Sequence, residues 1–263
     1  MDSFVDERDY KLLENDKYTF FVLKNVMGDE CHVLLTDHER LIICHSEHPF
    51  PVWVWTPDDA TGEELAKAVE LINEVLPVSD GYTYNMKYEL AERFMKKASE
   101  NGNQMYIKTN MFAYDCPEPK EPEEKARGEF HKCTMDDVET LVELYDLFYK
   151  EIDVDIQTLD DYRAKAEDGI PKGLYYLWKN PEGRYVASCN YRPNGDMAVV
   201  GMVYTRVDER RKHYAENLVY GVTKTVKDMG CVPMLYTDAD YAASNACYEK
   251  IGYIPRGKLC MIA

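Results

Sequence analysis

Two turn sequences in the second half of this chain constrain its fold more than any other feature. Asn-Pro-Glu-Gly at 180–183 and Pro-Asn-Gly-Asp at 193–196 separate three apolar segments that have the length of strands, at 174–179, 184–190 and 197–205. Asn-Gly readily adopts the positive φ angles that tight hairpin turns require. The pattern therefore predicts a three-stranded antiparallel meander.

Helices and strands alternate around the meander. Apolar residues recur at helical spacing after residue 214 and predict a helix that Gly230 ends. The remaining predicted elements are strands at 129–133, 232–237 and 258–262 and helices at 135–149, 159–167 and 242–250. This order predicts a mixed α/β fold in which helices flank a mostly antiparallel central sheet.

The first half of the chain repeats part of this order. A strand is predicted at 52–56, and Thr-Gly-Glu-Glu at 61–64 is a capping-box pattern that opens a helix. A strand at 82–85, a helix at 87–99 and a strand at 105–114 follow. The same series of strands and helices begins at residue 197, and we therefore predict an internal repeat.

A segment in which prolines alternate with charged residues separates the two halves. Pro117, Pro119 and Pro122 break helices, and the charged residues between them cannot contribute to a core. We therefore expect a first domain at 1–116, a linker at 117–127 and a second domain at 128–263.

A basic turn precedes the helix that is predicted after residue 214. Four of the seven residues from Arg206 to Lys212 are cationic, although the chain has a formal net charge of −17, and they predict a local anionic partner. The first N–H groups of a helix attract anions, and arginine and lysine add charge-assisted hydrogen bonds. The turn is therefore either a pyrophosphate site or a solvated basic turn. The corresponding turn of the first half, 58–64, carries four acidic residues and would repel a pyrophosphate.

These features resemble the GNAT acetyltransferase superfamily. The cofactor loop of that family follows the pattern Arg/Gln-x-x-Gly-x-Gly/Ala, and Arg210 and Ala215 match its outer positions. Ser244-Asn245 and the sequence Tyr-Glu-Lys-Ile-Gly-Tyr at 248–253 resemble the helix and strand that follow the loop. The resemblance begins near residue 129. It implies a GNAT fold for the C-terminal domain and a degenerate, GNAT-like fold for the N-terminal domain.

His213 and Tyr241 depart from the family pattern. His213 replaces the central glycine of the loop, which lets backbone approach phosphate without an intervening Cβ atom. Another side chain fits there if φ stays negative, and the alternative role for His213 is that of a surface residue at the helix cap. Tyr241 stands where many relatives have asparagine, so the resemblance does not imply the polar contact that this asparagine makes to the cofactor.

The resemblance also implies acetyl-CoA as co-substrate and a set of residues that bind it. Val203, Tyr204 and Thr205 would hold the pantetheine arm through their backbone. The other cofactor-binding residues would be Arg210, Arg211, Lys212, His213, Tyr214, Ala215, Ser244 and Asn245. Tyr248 would be the general acid that returns a proton to the CoA thiolate, and the alternative is a tyrosine that only packs in the core.

The group that deprotonates the acceptor amine is not identifiable from the sequence. Some relatives use a glutamate on the central strand, but 197–205 contains no carboxylate. A water molecule relayed to a backbone carbonyl, to Asp238 or to Glu151 would take that role. Glu151, Asp153 and Asp155 either receive a cationic amine or form a solvated acidic loop.

The resemblance implies direct transfer of an acetyl group from acetyl-CoA to a primary amine of a small molecule or peptide. Two alternatives stay open. One is a non-catalytic acyl-CoA-binding or regulatory protein, and the other is an interaction scaffold without a CoA site. A monomer and a homodimer are both compatible with the sequence.

Composition argues against several other classes. The net charge of −17 and a pI near 4.8 disfavour nucleic acid as a partner. The eight cysteines are scattered without a C-x-x-C pair, so neither a metal site nor a disulfide framework is expected, and Cys189 and Cys247 are predicted to be inert thiols. The sequence has no run of eighteen apolar residues and no targeting signal, which predicts a cytoplasmic protein without a membrane partner.

Overall fold

The computed structural model describes residues 1–152 and 157–263, which form two compact units. The first unit comprises Met1–Tyr114, Tyr236–Tyr241 and Pro255–Ala263, and the second comprises Asp115–Leu235 and Ala242–Ile254. Most of the last strand of the chain thus belongs to the first unit. The domain boundaries given above for the sequence stay a prediction.

Secondary structure follows the predicted order from residue 52 onwards. The helices are α1 Glu7–Leu12, α2 Phe21–Val26, α3 Gly62–Val75, α4 Tyr88–Glu100, α5 Val138–Ile152, α6 Leu159–Gly169, α7 Tyr214–Asp228 and α8 Ala242–Lys250. The strands are β1 Val33–Thr36, β2 Ile42–His45, β3 Val52–Trp55, β4 Tyr84–Met86, β5 Ile107–Asp115, β6 Glu129–Lys132, β7 Tyr175–Lys179, β8 Tyr185–Asn194, β9 Met197–Thr205, β10 Val232–Asp238 and β11 Ile254–Ile262. Four of these elements, α1, α2, β1 and β2, are additional to the prediction. No helix in the described part of the chain is long and apolar enough to span a bilayer.

The second unit contains the predicted meander. Strand β8 pairs antiparallel with β7 and β9, β6 pairs antiparallel with β7, and β10 pairs parallel with β9. Asn194 lies opposite Met197, so the loop between β8 and β9 consists of Gly195 and Asp196. Of these two residues only Gly195 has a positive φ, 60°, as the first position of a type II′ turn requires. The hairpin is confirmed, but the Asn-Gly pair does not form its centre.

A hydrophobic core in the second unit fixes the carboxyl-terminal half of β9. Met202 and Tyr204 of β9 pack in this core with residues of β7, α5 and α6, among them Leu177, Leu141 and Tyr162. Helix α7 also contacts β7, β8 and β9. The end of β9 is therefore positioned by packing, and the predicted cofactor turn follows directly from it.

The first unit has a sheet that is covered on both faces. Its strands lie in the order β1-β2-β3-β4-β11-β5. Strand β2 pairs antiparallel with β1 and β3, β4 pairs antiparallel with β11, and β3 pairs parallel with β4. Val52 and Val54 pack in a core with α3 and α4, whereas Trp53 and Trp55 pack in a second core with α2. Because both faces are covered, every residue of β3 is buried.

The same order of elements occurs twice, as predicted. The first series is β3-α3-β4-α4-β5, and the second is β9-α7-β10-α8-β11. Each series begins with two parallel strands that a helix connects. The N-terminal half of the chain is therefore a sheet-rich domain built from the same kind of unit as the C-terminal half.

Candidate active site

A β-bulge interrupts β9 shortly before its end. The register of β8 against β9 shifts between Ser188 and Asn190, and Met202 in the opposite strand has a φ of 50°. The Met202 carbonyl accepts a hydrogen bond from Ser188 Oγ at 3.2 Å. Bulges turn backbone groups away from the regular ladder and occur often beside active sites. This bulge lies directly before the predicted pantetheine-binding residues at 203–205.

Thr205 ends β9 and contains a buried hydroxyl group, Oγ1, that has no hydrogen-bond partner among the described residues. Buried side-chain oxygens in folded proteins are normally hydrogen-bonded, so a ligand is one way to complete this site. The Thr205 carbonyl accepts a hydrogen bond from Arg210 Nε at 3.1 Å. The Arg210 guanidinium also lies 5.9 Å from the ring centroid of Tyr204. The basic turn is therefore fastened to the end of β9.

The basic turn has the backbone conformation that glycine favours. Arg211 and His213 have φ angles of 62° and 63°. The condition under which another side chain is expected to fit this position, a negative φ, is therefore not met at His213. Histidine tolerates the left-handed region better than most side chains. Here Glu124 and Glu216 hold its ring, with carboxylate oxygens 3.1 Å from Nε2 and 3.2 Å from Nδ1.

The start of α7 offers N–H groups to an anion. His213 occupies the N-cap position, as its alternative role required, but its side chain makes no capping hydrogen bond. The φ angles alternate in sign along the turn, from −70° at Arg210 to 62° at Arg211 and, after Lys212, to 63° at His213. No side chain of the described residues caps the start of α7, so its first N–H groups can donate to an anion, and the dipole of the helix adds positive potential. The turn is therefore suited to hold phosphate oxygens.

Arg206 has a structural role at the beginning of the turn. Its guanidinium is buried and donates to both carboxylate oxygens of Glu143, at 2.6 and 2.7 Å, and to the Tyr185 carbonyl at 2.9 Å. The hydrogen bonds with Glu143 raise the pKa of Arg206, and the same bonds lower the pKa of Glu143. This cation is therefore committed to the protein and is not offered to a cofactor.

The other three cations of the turn differ in their availability. Arg210 forms an ion pair with Glu151, and Lys212 forms one with Glu209 at 2.7 Å. Arg211 is exposed and makes no ion pair with any residue that the structure describes. The carboxylates of Glu151 and Glu209 thus supply part of the negative charge that the sequence predicts beside this turn. Arg211 is the cation that is most accessible to a ligand.

Helix α8 brings two of the predicted site residues onto one face. Tyr248 and Asn245 lie one turn apart, and each is 8% exposed. The Tyr248 ring lies 5.9 Å from that of Tyr253, whose hydroxyl contacts Thr223 Oγ1 at 2.9 Å. Ser244 is half-buried beside Asn245. The packing of the Tyr248 ring is compatible with both interpretations, and its role as an acid stays a prediction.

The acidic candidates for activating the amine are distributed over different parts of the chain. Glu151, at the end of α5, is engaged by Arg210. Asp238 ends β10 and belongs to the first unit. Asp153 and Asp155 lie outside the described residues. No base is assigned from these positions.

Cys189 and Cys247 carry no reactive thiolate near neutral pH. Burial raises the pKa of Cys189 far above its usual value, and burial raises that of Cys247 to about 12. The thiolate is the nucleophilic form of cysteine. The prediction that both are inert thiols is therefore confirmed.

One group of side chains in the described part of the chain has the spacing of metal ligands. Asp6, Asp9 and His38 place one ligand atom each within 4.8 Å of one another. Both ring nitrogens of His38 already contact carboxylates, Nδ1 that of Asp9 at 2.8 Å and Nε2 that of Asp2 at 3.0 Å. The contacts of His38 with these carboxylates therefore explain the short distances within the group without a metal ion.

Comparison with solved structures identifies the fold. The chain is similar over 99% of its length to an acetyltransferase of the GNAT family from Colwellia psychrerythraea, of which it covers 98%, at a TM-score of 0.61 and 10% identity. A GCN5-related N-acetyltransferase from Kribbella flavida is similar over 94% of this chain and 94% of that protein, at a TM-score of 0.61 and 14% identity. A GCN5-related N-acetyltransferase from Sphaerobacter thermophilus is similar over 81% of this chain and 71% of that protein, at a TM-score of 0.62 and 14% identity. At these identities the likeness is one of fold.

Comparison with protein families matches a shorter part of the chain than the comparison with solved structures. No curated protein matches the chain. The model of the acetyltransferase (GNAT) family matches residues 138–253, a range that begins with α5 and includes the basic turn and Tyr248. Acyl transfer is the chemistry of that family, and the match agrees with the resemblance that the turn and α8 indicate. Residues 138–253 are therefore similar to the acetyltransferase (GNAT) family.

Proposed function

We propose that this domain transfers an acetyl group from acetyl-CoA to a primary amine of a small molecule or peptide. The observation that carries the proposal is the left-handed backbone of His213 at the start of α7. Glycine, which the family pattern has at this position, adopts that conformation readily. A histidine that adopts it in spite of its side chain preserves the shape of the cofactor turn.

The pyrophosphate of acetyl-CoA would bind to the N–H groups between Arg211 and the first turn of α7. Arg211 would add a charge-assisted hydrogen bond, because it is exposed and has no carboxylate partner among the described residues. Arg210 would shape the turn through its hydrogen bond to the Thr205 carbonyl. Lys212 would contribute positive potential while it remains paired with Glu209.

The pantetheine arm would run along the end of β9, next to the bulge at Met202. The backbone of Val203, Tyr204 and Thr205 would accept and donate its amide hydrogen bonds. The buried Thr205 Oγ1, which lacks a partner among the described residues, fits a role as a further contact. Asn245 of α8 would contact the arm from the other side of the cofactor.

Tyr248 would act as the general acid. Attack of the amine nitrogen on the thioester carbon breaks the bond from that carbon to sulfur, and the departing thiolate needs a proton. A phenol near the sulfur can supply it at neutral pH. The amine loses its own proton to water, since 197–205 contains no carboxylate. Most of the acceleration would come from alignment of amine and thioester.

The absent strand carboxylate also favours a second candidate, a non-catalytic acyl-CoA-binding protein. Such a protein would retain the basic turn but would not catalyse acetyl transfer. It would bind acetyl-CoA with the same dependence on Arg211 and would release no thiol in the presence of amines. An interaction scaffold would do neither.

Two measurements distinguish these functions. The first is the thermal midpoint with and without acetyl-CoA, which should rise for the native protein but not for Arg211→Ala. The control Lys224→Ala, an exposed position on α7 that pairs with Asp228, should keep the rise. The second is release of free thiol from acetyl-CoA with a panel of primary amines. Steady, amine-dependent release supports the transferase, binding without release supports the acyl-CoA-binding protein, and neither binding nor release supports the scaffold.

Tyr248→Phe tests the acid within the same assay. The variant should lower kcat by about 100-fold and change the KM for acetyl-CoA little, because the phenol acts on the leaving thiolate in the transition state. An unchanged kcat would assign Tyr248 to the core alone.

A further inference from the structure

The first unit contains a cavity whose lining residues have no role in the proposed acetyl transfer. Its volume is about 330 Å³, near the lower limit of small-molecule sites. Residues of the first unit alone line it, among them Thr56, Pro57 and Asp58, which follow β3, and Lys87 and Tyr88, which follow β4. Parallel strands β3 and β4 thus end at the cavity, and ligands of α/β sheets bind at the carboxyl ends of such strands.

Lys87 is the central charge of this cavity. Its ammonium group contacts Asp16 Oδ2 at 2.7 Å and Asp58 Oδ1 at 2.5 Å. It also lies 5.8 Å from the ring centroid of Phe20 and 5.9 Å from that of Trp55. The side chain is only 16% exposed. Its position is therefore fixed by packing as well as by charge.

The two carboxylates that contact Lys87 differ in how firmly they are held. Asp16 has a side chain that is 19% exposed, and it also accepts a hydrogen bond from the Trp55 indole at 2.8 Å. Asp58 is 85% exposed, and an exposed ion pair contributes little to stability. Asp16 is therefore part of the framework, whereas Asp58 can be displaced from Lys87 by another carboxylate.

Two further cations line the same cavity. Arg256 and Lys258 lie two residues apart on β11, with their charged groups 5.2 Å and 5.0 Å from the ring centroids of Tyr18 and Phe112. The remaining acidic lining residue, Glu89, is exposed. The three cations of the lining balance its three carboxylates, Asp16, Asp58 and Glu89, so an added anion must take the place of one of these carboxylates.

The N-terminus of α3 does not provide this site. Thr61 and Glu64 close it with a reciprocal capping box, and Arg40 pairs with Glu64. The N–H groups of Thr61 and Glu64 are thereby occupied, whereas no described side chain caps the start of α7. The anion-binding group of the first unit is instead the ammonium of Lys87.

We propose that this cavity binds a small organic carboxylate with a short apolar group, whose carboxylate takes the place of Asp58 on Lys87. The contact between Asp58 and Lys87 shows that a carboxylate fits this position. Leu65 and Pro57 also line the cavity and would contact the apolar part. Arg256 and Lys258 would add positive potential.

The test uses the indole N–H of Trp55 as a local reporter in the full-length, ¹⁵N-labelled protein. Of the three tryptophans, only Trp55 donates its indole N–H to Asp16, and a Trp55→Phe variant assigns its signal. Sodium butyrate is titrated against sodium chloride of equal ionic strength, with butanol as the uncharged analogue. We expect a saturable shift of the Trp55 signal with butyrate and none with chloride or butanol.

Two matched variants make the proposal specific. Asp58→Asn removes the internal competitor and should lower the Kd for butyrate at least threefold, because a larger fraction of the protein is then free to bind. Asp59→Asn removes the same charge one residue away, from a side chain that pairs with Arg40, and should leave the Kd unchanged. Both side chains are exposed, so both variants should fold.

Three outcomes would overturn the proposal. A linear response to butyrate that equals the response to chloride excludes a site. A saturable response to inorganic phosphate without one to butyrate excludes a carboxylate ligand. An Asp58→Asn variant that binds butyrate no better than Asp59→Asn excludes displacement of Asp58.

Discussion

Arg206 and Glu143 form a bidentate ion pair in which two guanidinium N–H groups donate to the two carboxylate oxygens at 2.6 and 2.7 Å. The two residues are 63 positions apart and join the start of the basic turn to α5. The side chain of Arg206 is 10% exposed, whereas that of Glu143 is 55% exposed. The pair therefore anchors the turn on one side and remains hydrated on the other.

Glu143→Gln should destabilise the second unit by about 1–2 kcal/mol. The substitution leaves a buried guanidinium without its charge partner, which is costly, but the exposed side of the pair lets water compensate in part. Urea denaturation followed by tryptophan fluorescence measures the change. Glu139→Gln is the control, because its pair with Arg163 is exposed and should be worth less than about 0.5 kcal/mol. Equal losses in the two variants would contradict a structural role for the Arg206 pair.

His213→Gly should be more stable than His213→Ala by about 1 kcal/mol. Alanine in the left-handed region brings its Cβ close to the backbone, whereas glycine has no such atom. Urea denaturation of the two variants checks the difference. The same pair of substitutions at Lys224, an exposed position inside α7, should give the opposite order, since alanine is the better helix former. Alanine favoured at both positions would mean that φ at 213 is negative.

The part of the site that follows from local sequence was predictable, and the part that depends on distant residues was not. The meander, α7 and α8 have periodic patterns and turn residues, and their bounds agree closely with the prediction. The left-handed conformation of His213 could not be predicted, because the carboxylates that hold its ring, Glu124 and Glu216, are not implied by the loop pattern. The ion pair between Arg206 and Glu143 depends on the packing of α5, which no local pattern reveals.

The first 45 residues show the same limit in the fold. Helices α1 and α2 have six residues each, which is too short for an apolar period to be recognised. The contacts that stabilise this region are long-range, such as the hydrogen bond from the Trp55 indole to Asp16 at 2.8 Å. Short helices of this kind form because tertiary packing fixes them, and the sequence of the segment alone does not predict them.

His45 should make the first unit less stable as the pH falls below about 6.5. Burial lowers the pKa of its fully buried ring, and the nearby His48 and His32 lower it further. The unfolded chain then binds the proton more readily than the folded chain, so the free energy of unfolding decreases as the pH drops from 6.5 through the folded pKa. His45→Phe should flatten the dependence of that free energy between pH 7 and pH 5. The exposed control His32→Gln should retain most of the slope, and a slope unchanged in His45→Phe would contradict the assignment.

His38 should have the opposite effect on the alkaline side. Burial alone would lower the pKa of its ring, but hydrogen bonds with the carboxylates of Asp9 and Asp2 outweigh burial and raise it. A raised pKa means that the folded chain holds the proton more tightly, so the stabilisation is complete below the unfolded value of about 6.5 and is lost as the pH rises through the folded pKa. His38→Gln should therefore be less stable than the native protein at pH 6 and should approach it at pH 9, as measured by urea denaturation at both values. A difference that is the same at the two pH values would show that His38 acts through its shape and not through its charge.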